Sequence, residues 1–342
     1  MDRKDAAKKL IINDLKGVMD AYSRCEEGTR AHFMLGGLLY FSTIISGAVD
    51  WCAKANLAVN CFADKEIIDK LRAKVKLYSN DDVIPLEQQR ILMSNIIRVE
   101  KQYWVDLQEQ SGEYCPKFLI SDIGSYLVNS HYIGNTLEYA YEYSPLNSLG
   151  IPILEALGGE SRDSSLAFTF GIQLGKTLQE LYSKISGQAY ILPQNNKCQI
   201  EIMDRDFRMD SCKFFKKQNA IFAFNLCCRI NYLLEVFFPL CERYPMLAFR
   251  MMYITFYHLE ADLKSLGLEF VHYNMPYRNQ YFRNAMAHYS LFGKISDGEI
   301  IEDVVGFGLL EKFFGKPFDA VNRELINEFR KTRDSLEEYV II

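Results

Sequence analysis

Within Tyr281-Phe282-Arg283-Asn284-Ala285-Met286-Ala287-His288-Tyr289, an arginine and a histidine flank a short stretch, with an asparagine directly after the arginine. Histidine titrates near neutrality and can move a proton to or from a ribose hydroxyl. Arginine stays charged and presents paired donors, so it can brace the extra negative charge of a pentacoordinate phosphorus. Together they suit cleavage of a phosphodiester. No metal is required when the attacking group is the neighbouring 2′-hydroxyl, and that requirement points to RNA.

The element that must position these groups is written in the same residues. Phe282, Ala285, Met286 and Tyr289 fall at i, i+3, i+4 and i+7, the template of an apolar helix face. The other positions fan across the opposite side. Arg283 and His288 stand at its two edges, about 140° apart, with Asn284 and Ala287 between them. Arginine is long enough to bend toward its partner. The methyl of Ala287 leaves room for close approach to the helix backbone, at a dimer contact for example.

The surroundings are basic and aromatic. From Phe270 to Ser296 there is no Asp or Glu, in a chain with 44 of them. Basic residues interleaved with aromatics suit single-stranded RNA, and Arg278, Lys294 and Tyr281 are candidate substrate-binding side chains. Glu260 and Asp262, on the preceding helical stretch, are candidate supporting acids that could orient His288.

Arg283-Asn284-x-x-x-His288 resembles the signature of the HEPN superfamily: an arginine, commonly a polar residue after it, and a histidine four to six residues on. The resemblance covers roughly Asp210 to Ile342. It implies a compact helical bundle and a metal-independent endoribonuclease that leaves a 2′,3′-cyclic phosphate and a 5′-hydroxyl. It also implies a homodimer with the motifs at the subunit interface, of the kind found in toxin–antitoxin, abortive-infection and antiviral systems. Arg283 would then stabilise the scissile phosphate, His288 would be the acid/base group, and Asn284 would orient one or the other. Some toxin members place a tyrosine two residues after the histidine; here Tyr289 follows at once and Ser290 takes that place.

The rest of the chain also reads as helix, so the expected class is all-α. Leu10, Ile11, Leu15, Val18 and Met19 recur at helical spacing, as do Leu92, Ile96 and Ile97. Asp163 to Ile185 reads as an amphipathic helix capped by Asp163 or Ser164. Pro245 opens another helix. The rhythm breaks near Gly187 to Asp210. There, Tyr190–Pro193 and Cys198–Ile202 flank an Asn-rich turn and predict a short hairpin. The expected organisation is a helical domain over 1–186, a linker over 187–209 and the HEPN-like domain over 210–342. The N-terminal region offers no motif of its own; sensing, dimerisation and docking of a neutralising antitoxin are the roles open to it.

Composition sets the remaining bounds. The chain has 342 residues, 49% of them hydrophobic, and a formal net charge of −5. That balance argues against a protein that coats nucleic acid through bulk charge. Nine scattered cysteines with no Cys-x-x-Cys form neither a disulfide framework nor a zinc site, and read as buried thiols in a reducing cytoplasm. Phe33 to Val49 carries no charge, but its length and its small residues fit a core helix better than a membrane span. Gly171-x-x-x-Gly175-Lys176-Thr177 is one residue short of a phosphate-binding loop and sits in a helical pattern. His258, Glu260 and Asp262 match no standard ligand spacing, so no metal or cofactor is expected. The rivals to RNA cleavage are a non-catalytic helical interaction module and a helical nucleotide-binding regulator.

Overall fold

A computed structural model describes residues 2–75, 87, 91, 124–135, 166–193, 197–206, 217, 219–289, 296–302 and 304–341. Among these, helix dominates. Helix α1 (Arg3–Arg24) starts where the Asp2 side chain accepts from the Asp5 amide at 2.8 Å, and it buries Leu10, Ile11, Leu15 and Val18. Helix α2 (Glu27–Lys54) contains the uncharged run, and α3 (Lys65–Lys74) packs back on it after a cap by Asp64. The amphipathic helix expected to end near Ile185 is α4 (Leu166–Ser186), which lies on both α1 and α2. Its expected cap, Asp163 or Ser164, lies outside the described residues, as do Leu92, Ile96 and Ile97.

The second half is built on α5 (Ala220–Asn231), which runs on through a π-helical turn at Tyr232–Phe237 to Leu240. This turn lies just before Pro239, which has no N–H to give a regular ladder. Helix α6 (Pro245–Ser265) has Pro245 in its first turn and is buried almost all round from Met246 to Phe256. Helix α7 (Gln280–His288) carries the Arg283/His288 motif, and α8 (Leu309–Phe314) and α9 (Phe318–Ile341) close the chain.

One expectation is corrected. Tyr190–Pro193 form no strand, and Cys198 pairs not with them but with Cys25, at the end of α1. Among the described residues, a hairpin lies earlier. Strands β1 (Gly124–Val128) and β2 (His131–Asn135) turn through Asn129 and Ser130, both left-handed, at φ 51° and 68°. Strand β3 (Met203–Asp206) joins the other edge of β1, giving an antiparallel order β2-β1-β3. Two consecutive left-handed residues match the twist of a tight hairpin, and Asn tolerates that region. The sheet is held to α5 by Asn231, whose Nδ2 donates to the Tyr132 carbonyl at 3.0 Å.

A single hydrophobic cluster runs through residues from both sides of 187–209, including Leu10, Phe41, Phe249, Phe282 and Phe329. Helix α2 packs closely because its glycines leave space: a Cβ on Gly36 would meet the Tyr232 ring at 2.4 Å, and one on Gly47 the Tyr289 ring at 2.9 Å. Two stretches, His32–Lys54 and Ala220–Leu240, are long and apolar enough to cross a membrane by length and composition, and most of each is buried in the interior.

Candidate active site

Helix α7 begins where the sequence lets it. The Asn279 side chain accepts from the amides of Tyr281 and Phe282 at 2.9 and 3.0 Å. The turn before it is fixed by Tyr253 of α6, whose hydroxyl donates to the Tyr277 carbonyl at 2.7 Å. All four residues of the expected apolar face, Phe282, Ala285, Met286 and Tyr289, are buried. Phe282 sits among Tyr253, Phe313 and Phe314, with ring centres 4.8 to 5.5 Å away.

The far end is pinned by a buried ion pair. Arg250 of α6 and Asp14 of α1 are both fully buried and paired with each other. Arg250 also donates to the Met286 carbonyl, and the Tyr289 hydroxyl donates to Asp14 at 2.8 Å. The Arg250 guanidinium lies over the Tyr289 ring, 4.2 Å from its centre. Desolvation lowers the Arg250 pKa and raises that of Tyr289. Tyr289 takes a left-handed φ of 50° and ends the helix. This tyrosine is a structural anchor.

The polar edge is less open than the helical wheel suggests. Arg283, Asn284 and His288 are each half-buried, and Ala287 is buried. What approaches Ala287 is this chain's own α2: a Cβ on Gly47 would lie 3.4 Å from the Ala287 carbonyl oxygen.

Arg283 and His288 face different neighbours. The Arg283 guanidinium lies 5.1 Å from the centre of the Tyr257 ring, and its Nε is buried without a hydrogen-bond partner. Arg278 lies over the same ring at 4.4 Å and is paired with Glu260 at 2.7 Å. Lys264 hydrogen-bonds Glu260 and, with Arg278, holds its pKa below the usual carboxylate range. Glu260 is therefore engaged with these two cations, while Asp262 is buried on the same helix. Tyr281 is 55% exposed, and Lys294 lies outside the described residues.

His288 meets a residue the sequence reading missed. Arg72 of α3 places Nη2 2.6 Å from the His288 Nδ1. Its Nη1 donates to Ser46 Oγ at 2.7 Å, and Ser46 donates to Asp69 at 2.7 Å. Asp50 lies 3.7 Å from the same guanidinium. The same Nη2 lies 3.3 Å from the His288 Nε2, so the guanidinium stands beside both ring nitrogens. Nothing in the sequence near Arg72 signals this role. Asp14 and Arg250 did leave a signal: each is a charge on an otherwise apolar helix stripe.

The other residues singled out are accounted for locally. Thr177 accepts from the Phe62 and Ala63 amides inside the protein, and His131 pairs with Glu337 at 2.8 Å. Among the described residues, no group of three or more His, Cys, Asp or Glu is placed to hold a metal ion. Compared with models of protein families, with curated proteins and with solved structures, the chain matches none of them.

Proposed function

We propose that this chain is a metal-independent endoribonuclease of HEPN type, with Arg283 and His288 as its catalytic pair. The observation that carries this reading is the state of Arg283. A half-buried arginine, with its Nε inside the protein and without a hydrogen-bond partner, is a donor short of an acceptor. A phosphate oxygen would supply that acceptor. In the reaction, the ribose 2′-hydroxyl attacks phosphorus and loses its proton, and the bond to the 5′-oxygen breaks as that oxygen gains a proton. The products are a 2′,3′-cyclic phosphate and a 5′-hydroxyl end. His288 moves a proton in this exchange, and Arg283 braces the phosphorane. Arg278, which shares the Tyr257 ring with Arg283, and Tyr281 would supply binding groups, and Asn284 would orient the phosphate or the histidine. A homodimer, cytoplasmic location and a role as a toxin or antiviral effector held by an antitoxin belong to the same proposal.

A second reading draws on the Arg72–His288 contact. A histidine hydrogen-bonded within its own fold suits a helical interaction module that carries no reaction. The test is purified protein incubated with total RNA, with and without chelator, beside Arg283→Ala and His288→Ala. Cleavage that survives chelator and disappears in both variants supports the nuclease. A folded His288→Ala protein that cleaves at the wild-type rate, or a wild type that cleaves nothing, favours the interaction module.

A further inference from the structure

The segment that follows the expected hairpin turn is stitched to the corner between α1 and α2. Lys197 Nζ donates to the carbonyls of Ser23 and Cys25, at 2.7 and 3.2 Å, and the Cys198 amide donates to the Arg24 carbonyl at 2.9 Å. Thr29 Oγ1 donates to the Ile200 carbonyl at 3.3 Å. These bonds fix the register in which Cys198 and Cys25 are bridge partners on parallel segments.

Neighbours in such a bridge stand about 4.7–4.9 Å apart. That lies inside the Cα separation of about 4.4–6.8 Å that a disulfide spans. Bridge partners also project their side chains to the same side. Both thiols are free; Cys25 is buried and Cys198 half-buried. Cys25 Sγ points back to the Ala21 carbonyl at 3.3 Å, so joining it to Cys198 needs a rotation about χ1. Burial pushes the Cys25 thiol up to about 12, which leaves Cys198 as the sulfur that meets an oxidant first.

We propose that Cys25 and Cys198 form a peroxide-sensitive dithiol, a redox modification site that locks the 197–200 segment onto the α1–α2 corner. The Cys198 thiolate attacks one oxygen of hydrogen peroxide; the O–O bond breaks, hydroxide leaves and a sulfenic acid forms. Cys25 then gives up its proton and attacks the sulfenic sulfur. The S–O bond breaks, the S–S bond forms, and hydroxide leaves with that proton as water. Two thiols lose two electrons and the peroxide is reduced to water. The disulfide closes the long loop from Cys25 to Cys198, which constrains the unfolded chain.

The test uses the full-length reduced protein, treated with equimolar hydrogen peroxide at neutral pH and mapped by non-reducing peptide mass spectrometry. The expected product is a Cys25–Cys198 linked peptide, with Tm raised by roughly 3–6 °C and restored by dithiothreitol. Cys25→Ser should instead trap Cys198 as a sulfenic acid that reacts with dimedone. Three results would each overturn the proposal: Cys198 oxidised to sulfinic acid while Cys25 stays free, Cys25 linked to Cys241, or no reaction at Cys198 while added glutathione is consumed. The wild-type peptide map decides the matter even if a cysteine variant folds poorly.

Discussion

At the scale of single residues, Phe282 and Arg283 are adjacent in sequence and should answer truncation in opposite ways. Phe282 is 0% exposed among aromatic rings, so Phe282→Ala should cost about 3–5 kcal/mol in urea unfolding, and activity only as a consequence. Arg283→Ala removes a half-buried group whose described contact is the Tyr257 ring, and should cost about 1 kcal/mol or less. Its effect on RNA cleavage should nevertheless be the larger, about 10²-fold or more. Equal stability losses in the two variants would contradict this assignment of faces. Arg72 yields a second expectation. A histidine that shuttles a proton passes through an imidazolium, whose positive charge would stand beside that of Arg72, 2.6 Å away. Arg72→Met should therefore raise the cleavage rate of the proposed nuclease in single-turnover assays. A fall in rate with the fold intact would make Arg72 an aid to His288 instead of a restraint on it.

At the scale of elements, α7 is held less by its own nine residues than by α1 and α6 reaching into its C-terminal end. Both charges of the Asp14–Arg250 pair are fully buried, so removing one leaves the other without compensation. Asp14→Ala should cost about 3–5 kcal/mol in chemical denaturation. Tyr289→Phe removes only the hydrogen bond to Asp14 and should cost about 1–3 kcal/mol. If Asp14→Ala proved as mild as Tyr289→Phe, the ion pair would not be what holds this end of the helix. The aromatic packing around Phe282 would then be the better account.

For the molecule as a whole, stability should fall as the solution is acidified from near neutrality. Burial brings the His32 imidazole down to about 4, and its Nδ1 lies inside without a hydrogen-bond partner, next to the Tyr126 ring at 4.3 Å. Between about pH 6.5 and 4 the unfolded chain binds a proton at this residue that the folded protein refuses. The unfolded state then holds more protons, so stability rises with pH across that window and is lost as pH falls. The contribution is about 1–3 kcal/mol. Urea midpoints measured from pH 7 to 4 should decline, and His32→Phe should flatten the decline above the range where carboxylates protonate. A slope unchanged by that substitution would move the effect to other groups.

Much of this was legible from the chain alone. The burial of Phe282, Ala285, Met286 and Tyr289, the start of α6 at Pro245 and the core placement of the uncharged run through α2 all follow from spacing between near neighbours. Helical periodicity is a local property, and a single strand of sequence carries it. The hairpin was misplaced for the same reason: Tyr190–Pro193 look like a strand locally, whereas pairing depends on what lies alongside. Tertiary structure decided the surroundings of the polar edge. It set Arg72 against His288, Asp14 against Tyr289 and Gly47 against Ala287, residues more than 200 positions apart in the chain. Side chains that distant meet only when burial of separate apolar faces brings their helices together, and no spacing rule within one helix encodes which faces those will be.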